Sequence, residues 1–357
     1  MNRHWLTTVS ATLLACVARA QPGDGETGGS GPVGSARAGI WVDPAEIREL
    51  PMTGRAWKAL KHDADEPLPA PDLSNKEDNS DVAVLARALV YVRTGEARYK
   101  EDVVRELVLA MGTESDGDVL ALARNLPGYV IAAQLVELPP AVEPVFRTWI
   151  TELRDRELDG STLRRIHETR PNNWGTHAGA SRAVIARYLD DPAELERVAQ
   201  VFHGWLGDRE TYSGFKYGAL DWQSDPAAPV GINPKGAQRD GHSIDGVLPD
   251  DQRRAGGFEW PPPHENYVYE ALQGALLQAM VLSHAGYEDV WEWEDRALLR
   301  AFLWLQRVAD FPAQGDDTWQ AHVINSVYGA VLPAPIPSRP GKSVGFTDWT
   351  LSHAQVR

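Results

Sequence analysis

The chain has almost no cysteine: Cys16 is the only one in 357 residues. A single cysteine cannot form a disulfide within the chain, so the stability of the fold must come from burial. The chain also lacks the HExxH, paired CxxC and EF-hand spacings that bind metals. We therefore expect neither a metal nor a cofactor. One alternative is that His242, Asp240 and Asp245 hold a cation, although a polar loop explains these residues equally well.

The chain is also short of positive charge, because 35 Lys and Arg oppose 50 Asp and Glu, which gives a formal net charge of −15. Such a chain repels nucleic acid and anionic membrane surfaces, so neither is an expected partner. An acidic polysaccharide is still compatible with this composition, because a local cluster of cations can oppose the net charge. The cations that could form a positive cleft are Arg164, Arg165, Arg170, Arg253 and Arg254.

The N-terminal residues are typical of an export signal. The apolar run at residues 6–17 is too short to span a membrane, and a small-residue cleavage site follows at residues 18–20. Residues 1–20 are therefore predicted to be a signal peptide. Residues 13–16 also fit a bacterial lipoprotein signal in which Cys16 carries a lipid; in an ordinary signal Cys16 would be discarded. Residues 21–37 are rich in Gly, Ser and Pro and predict a flexible linker. We expect an exported protein, periplasmic or extracellular, with or without this lipid anchor and with no membrane-spanning segment.

The remaining residues, 38–357, have helical spacing almost throughout. The helical segments come in pairs joined by short connections, such as those at residues 94–98 and 190–192. Without a sharp sequence repeat, this pattern predicts one all-α domain in which helical hairpins form an (α/α) toroid. Residues 212–263 break the pattern, being rich in Gly, Pro, Asp and aromatic residues. They predict long irregular loops over one rim of the toroid.

The most informative stretch is residues 170–177, Arg-Pro-Asn-Asn-Trp-Gly-Thr-His, which leads into a helical segment. Asn172 or Asn173 is a favoured helix N-cap. Asn173, Trp174 and His177 lie within one helical turn, and Trp174 and His177 share a face at three-residue spacing. An amide, an aromatic ring and an imidazole at a helix N-terminus suit a sugar that carries a carboxylate. The alternative is an ordinary cap followed by one core and one surface residue.

Several motifs in the same order resemble the alginate lyase-like superfamily of polysaccharide lyases. The family's Asn-Asn-His-Gly-Thr-Trp element is similar to residues 172–177, with the His and the Trp exchanged. A second element, Asp-Gly-x-x-Pro, matches residues 245–249 and is followed by Arg254 and by His264-Glu-Asn-Tyr267. The hairpin at residues 85–99 and the tail at residues 319–349 are also similar. The resemblance implies an incomplete (α/α) toroid that cleaves uronic-acid polysaccharides by β-elimination, without a cofactor.

The resemblance also implies roles for individual residues. Asn173 matches the amide that neutralises the substrate carboxylate, and Arg254 matches the arginine that assists it. Trp174 occupies the family's His position, and the family's catalytic Tyr falls at His264 or Tyr267. We therefore expect His177 or His264 to be the base and Tyr267 to be the acid, or Tyr267 to serve both roles.

Additional residues are expected to bind the sugar chain. The candidates are Asn172, Trp174, Trp222, His242 and Trp260. Two other functions are compatible with the sequence. A glycoside hydrolase would need two carboxylates, for which the candidates are Asp245, Asp250, Asp251, Glu259 and Glu265. A relative that binds acidic glycans without cleaving them is the other alternative.

Overall fold

A computed structural model describes residues 39–335 and 341–352. The predicted signal, the linker and Cys16 lie outside these residues. The described part of the chain contains fourteen α-helices: α1 Pro44–Glu49, α2 Gly54–Asp65, α3 Ser80–Thr94, α4 Ala97–Ala110, α5 Val119–Val136, α6 Glu143–Leu153, α7 Leu163–Thr169, α8 Asn173–Leu189, α9 Pro192–Leu206, α10 Pro249–Gln252, α11 Tyr267–His284, α12 Trp293–Arg307, α13 Trp319–Tyr328 and α14 Thr347–Thr350. The all-α class is therefore confirmed.

Short polar residues set the helix boundaries. Gly95 adopts the left-handed conformation (φ 74°) that ends α3. Asp191 caps α9 by accepting a hydrogen bond from the Glu194 N–H, and Pro192 takes the first helical position. The predicted hairpin connections at residues 94–98 and 190–192 are thus confirmed.

Four long helices form the centre of the molecule. Helix α3 packs on α5, α5 on α8, and α8 on α11. Most of their side chains are buried on all sides, including polar ones. Helices α4 and α9 pack on the outside of α3 and α8 and are amphipathic, with the apolar face turned inward. Helix α5 is long and apolar enough to cross a membrane, but 94% of it is buried in this core. The core helix of a protein outside the membrane can have the same length and composition.

The C-terminal part of the chain packs against the N-terminal part. Helix α14 contacts both α13 and α2, and the Trp349 ring lies 5.4 Å from the Trp57 ring. The Trp349 indole N–H donates to the Pro51 carbonyl over 2.9 Å. The Lys342 ammonium is buried between α3 and α5, 3.2 Å from Asp81 Oδ1 and 2.7 Å from Asn125 Oδ1. The ends of the helical array are therefore in contact, while the toroid itself stays a prediction.

The segment between α9 and α11 is mostly irregular, as its composition predicted. It contains a two-stranded antiparallel hairpin, β1 Gln238–Arg239 and β2 His242–Ser243. Helix α10 follows and continues as a 3-10 turn, Arg253–Ala255. This turn and α10 contact one another, and α10 packs against α11, which brings the loop segment to the beginning of a central helix.

Candidate functional site

The N-terminus of α8 is held by two carboxylates from the loop segment. The Asn172 side chain caps α8 by accepting from the Trp174 N–H, and its amide donates to Asp250 Oδ2 over 3.0 Å. The Asn173 N–H donates to Asp251 Oδ1 over 3.0 Å. Carboxylates stabilise a helix N-terminus, where the helix dipole is positive. Asp250 and Asp251 therefore occupy the place at which the sequence suggested a substrate carboxylate.

The two carboxylates differ in their surroundings. Asp250 accepts hydrogen bonds from Asn172, from the Gly218 N–H and from the Arg253 guanidinium at 2.8 Å. Asp251 is buried, and burial raises its pKa well above the usual range of an Asp side chain. Its Oδ2 atom has no hydrogen-bond partner among the described residues. Asp251 thus keeps its proton to a higher pH than an exposed carboxyl would.

Asn173 and His177 lie on one face of α8, four residues apart. Asn173 is 2% exposed and His177 is fully buried. Within the described residues, Asn173 Oδ1 and both ring nitrogens of His177 make no hydrogen bond. Leaving a buried polar group unpaired costs about 1–3 kcal/mol, so native proteins keep few of them. Trp174, three residues before His177, is only partly buried.

A mostly buried ion pair lies next to this face. The Arg124 guanidinium of α5 is 3.2 Å from Glu270 Oε2 of α11, and His177 Nε2 is 3.9 Å from the same oxygen. The second distance is too long for a direct hydrogen bond. Burial lowers the pKa of His177, and the charge of Arg124 acts in the same direction. Burial tends to raise the pKa of Glu270, but His177 and Arg124 outweigh it, so the pKa is lowered. We call Arg124, Asn173, His177 and Glu270 the buried polar cluster.

Two of the predicted catalytic residues are paired at the surface near the beginning of α11. The Arg254 guanidinium stacks over the Tyr267 ring, 3.7 Å from its centroid. Tyr267 is 39% exposed, and its N–H donates to Glu265 Oε1 over 3.0 Å. Asp250 forms an ion pair with the neighbouring Arg253. Tyr267 and Glu270 lie one turn apart on α11, which connects this pair to the buried polar cluster.

The His264 ring is fixed by one nitrogen. Its Nε2 lies 3.0 Å from the Ala309 carbonyl oxygen, and the ring stacks on Phe311 at 4.5 Å. Because a carbonyl can only accept, Nε2 must carry the hydrogen, which leaves a lone pair on Nδ1 of the neutral ring. His264 is exposed. It is therefore the more accessible of the two histidines considered as the base.

A pocket of about 600 Å³ opens beside Asn172, within the 300–1,000 Å³ range of small-ligand sites. The end of α7, the beginning of α8 and the loop at residues 216–218 supply most of its wall. Asn172 and Trp174, both predicted to bind the sugar chain, line it. Its cations are Arg165, Arg170, Lys216 and Arg253, and its acidic residues are Asp118, Asp159 and Asp250. Three of the five arginines predicted to form a positive cleft line this pocket, whereas Arg164 and Arg254 do not.

Three predicted binding residues lie elsewhere. Trp222 is fully buried, packs 4.9 Å from the Phe258 ring and donates its indole N–H to the Gly256 carbonyl over 3.3 Å. It is a core residue, so its prediction as a sugar platform is wrong. His242 and Trp260 stack on one another at 4.2 Å with an angle of 10° between the rings, and they form a separate pair.

The carboxylates proposed for the alternative functions are mostly occupied. Asp245 accepts from Arg300 over 2.6 Å and from the Gly236 N–H over 2.8 Å. Asp250 and Asp251 hold the α8 N-terminus.

No group of three His, Cys, Asp or Glu side chains that could bind a metal occurs in residues 39–335 or 341–352.

Sequence reasoning missed several site residues. Arg124 and Glu270 stand within apolar helical segments, where a charged residue is usually assigned to the exposed face. A charged residue in a helical segment that is apolar on all sides must be buried, and this pattern could have indicated both residues. Lys216 and Tyr217 lie in an irregular segment that has no periodic pattern from which to predict their position.

No protein-family model matches the chain, and no curated protein matches it.

Proposed function

We propose that the protein is a polysaccharide lyase that cleaves a uronic-acid polysaccharide, alginate-like in chemistry, by β-elimination. In this proposal the helices form an (α/α) toroid, and the chain is exported and acts on an acidic polysaccharide outside the cytoplasm. The reaction removes the proton on the carbon beside the uronate carboxylate. The bond to the 4-linked oxygen then breaks, and a double bond forms between the two ring carbons.

The observation that carries this proposal is the unpaired side-chain oxygen of Asn173. An amide that is 2% exposed and makes no hydrogen bond through Oδ1 within the described residues is costly unless a ligand completes it. The proton beside a carboxylate becomes removable when donors stabilise the developing negative charge on the carboxylate oxygens. The Nδ2 amino group of Asn173 and the Arg254 guanidinium are donors of this kind, whereas Asn173 Oδ1 can only accept and would take a hydrogen bond from a sugar hydroxyl. Because Asn173 is almost covered, substrate binding must uncover its amide.

The proton transfers are assigned to the exposed residues near α11. The Nδ1 lone pair of His264 would accept the carbon-bound proton, and the Tyr267 hydroxyl would give a proton to the leaving oxygen. His177 is buried, so in this proposal it supports Asn173 and Glu270 from behind and does not contact the sugar. The Arg254 guanidinium lies over the Tyr267 ring, so both residues would face the same sugar unit.

The proposal is tested with purified protein and a panel of uronate polysaccharides, including alginate and glucuronan. Formation of the unsaturated uronate is followed by its absorbance in the near ultraviolet, and new reducing ends are measured in parallel. We expect absorbance and reducing ends to rise together on at least one polymer. The Tyr267→Phe variant should lose this activity, while Trp260→Phe, a change in the separate ring pair, should retain it.

The other outcomes identify the alternatives. Reducing ends without ultraviolet absorbance would contradict the lyase and indicate a hydrolase. Binding of a polymer with neither product would indicate a non-catalytic glycan-binding protein.

A further inference from the structure

The pocket beside Asn172 has cations that no carboxylate of the described residues neutralises. Arg253 is paired with Asp250, but the Arg165 guanidinium donates to the Gly160 carbonyl at 2.9 Å and not to a carboxylate of the described residues. Arg170 lies over the Trp174 ring at 5.5 Å, and the Lys216 ammonium has no acidic partner within residues 39–335 and 341–352. The pocket therefore has three cations available to a ligand.

The acidic residues of the pocket are less available. Asp118 caps α5 by accepting from the Ala121 N–H over 2.8 Å, and Asp250 is bound by several donors. Only Asp159, on an exposed turn, has no such partner within the described residues. The pocket thus has a local excess of positive charge in a chain whose formal net charge is −15.

The position of the cations is fixed by the backbone. The Lys216 N–H donates to the Thr169 carbonyl over 2.8 Å, which attaches the loop to the end of α7. Gly175 permits the close approach of α8 to the preceding turn, because a Cβ atom there would lie 1.9 Å from the Arg170 carbonyl oxygen. Arg170 and Lys216 are therefore presented on a rigid support, which favours recognition of a ligand of defined shape.

We infer that this pocket is a second binding site for an acidic sugar, next to the site of cleavage. Arg170 and Lys216 would bind the carboxylate of a uronate unit other than the one that loses its proton. Trp174 and Tyr217 would contact the apolar face of the same ring. Asn172 lines the pocket and Asn173 belongs to the buried polar cluster, so the two sites adjoin along one chain of sugars. This inference rests on the proposed function for its choice of ligand.

The test measures binding separately from cleavage. Calorimetric titrations use hexasaccharides prepared from alginate and from glucuronan, with the Tyr267→Phe background to prevent turnover. The double variant Arg170→Gln/Lys216→Gln should raise Kd about 10-fold or more, because hydrogen bonds between charged groups are among the strongest that exposed sites make. Arg55→Gln/Lys58→Gln is the matched control, since it removes the same charge from the exposed side of α2, away from the pocket. We expect this control to change Kd less than twofold.

Three results would overturn the inference. The first is an equal Kd for the pocket variant and the α2 control. The second is equally tight binding of a neutral hexasaccharide such as cellohexaose. The third is binding of a sulfated hexasaccharide that lacks carboxylates while the uronates fail to bind.

Cleavage distinguishes this inference from the proposed function. If no polymer is cleaved but the pocket variant loses hexauronate binding, the pocket assignment stands and the lyase proposal fails. If cleavage occurs and the pocket variant, in an otherwise unchanged chain, has the same KM as the α2 control, the pocket assignment fails and the lyase proposal stands.

Discussion

The pocket and the buried polar cluster meet at two neighbouring residues, but their polar groups are satisfied to different degrees. Asn172, in the pocket, caps α8 and donates to Asp250. Asn173, in the cluster, uses its backbone groups: its N–H donates to Asp251, and its carbonyl accepts from the Thr176 hydroxyl. Within the described residues its Oδ1 atom has no partner. The Asn172 amide therefore stabilises the fold, whereas the side-chain oxygen of Asn173 has no partner, which is the property expected of a group that completes its bonds with a substrate.

The largest contrast is expected between Arg124 and Arg170. Arg124→Ala should lower the free energy of unfolding by about 3–5 kcal/mol, because it leaves Glu270 charged and buried without its partner. Arg170→Ala, at the exposed wall of the pocket, should change it by less than about 0.5 kcal/mol. Urea denaturation of both variants measures the difference. Equal effects would mean that the cluster is not a buried ion pair.

A second contrast concerns the pH dependence of the cluster's neighbour Asp317. Burial raises the pKa of Asp317 to about 7, and the Gln273 amide donates to its Oδ1 over 2.7 Å. The unfolded value is about 3.9, so between pH 4 and 7 the folded state binds more protons than the unfolded chain. This carboxyl therefore makes the free energy of unfolding fall as the pH rises through that window.

Asp317→Asn removes this contribution and keeps an acceptor for the Gln273 amide. We expect the stability of the variant relative to the natural chain to increase by about 3 kcal/mol between pH 4 and 7. Thermal or urea unfolding at several pH values in that range measures it. Asp159→Asn, an exposed acid of the pocket, is the control and should show almost no such change. A constant difference for Asp317→Asn would contradict the burial argument.

The smallest effects are expected for the asparagine pair. Asn172→Ala should destabilise the protein by about 1 kcal/mol, because it removes a helix cap. Asn173→Ala should leave the free energy of unfolding unchanged or slightly higher, because it removes an unpaired buried amide at the first position of α8. Urea denaturation of the two variants compares them directly. A larger loss in Asn173→Ala would show that this side chain stabilises the fold.

The helices could be predicted well from local spacing, because burial of an apolar face repeats along each segment. Gly95 and Asp191 lie in the predicted connections, and in the structure Gly95 ends α3 and Asp191 caps α9. Trp222 could not be assigned in this way, since an aromatic residue in an irregular segment packs according to distant contacts such as Phe258. The toroid arrangement likewise depends on long-range packing that helical periodicity does not encode.

The candidate site could be predicted in part. The sequence indicated Asn172, Asn173 and Arg254, because the residues around them form compact motifs. It could not assign Asp250 and Asp251 to the α8 N-terminus, because about 78 residues of chain separate the partners. It also could not separate the two asparagines, since adjacent amides look alike until their hydrogen bonds are known.

The central claim is that the Asn173 side chain, through its amide N–H groups, holds the substrate carboxylate during cleavage. The most direct measurement is kcat of Asn173→Ala and of Asn172→Ala on the uronate polymer that yields the ultraviolet-absorbing product. Removing one donor to a developing negative charge costs about 10²–10³-fold in kcat, so Asn173→Ala should lose this much while remaining folded. Asn172→Ala should lose less than about 10-fold. A fully active Asn173→Ala variant, or equal losses in both variants, would contradict the account.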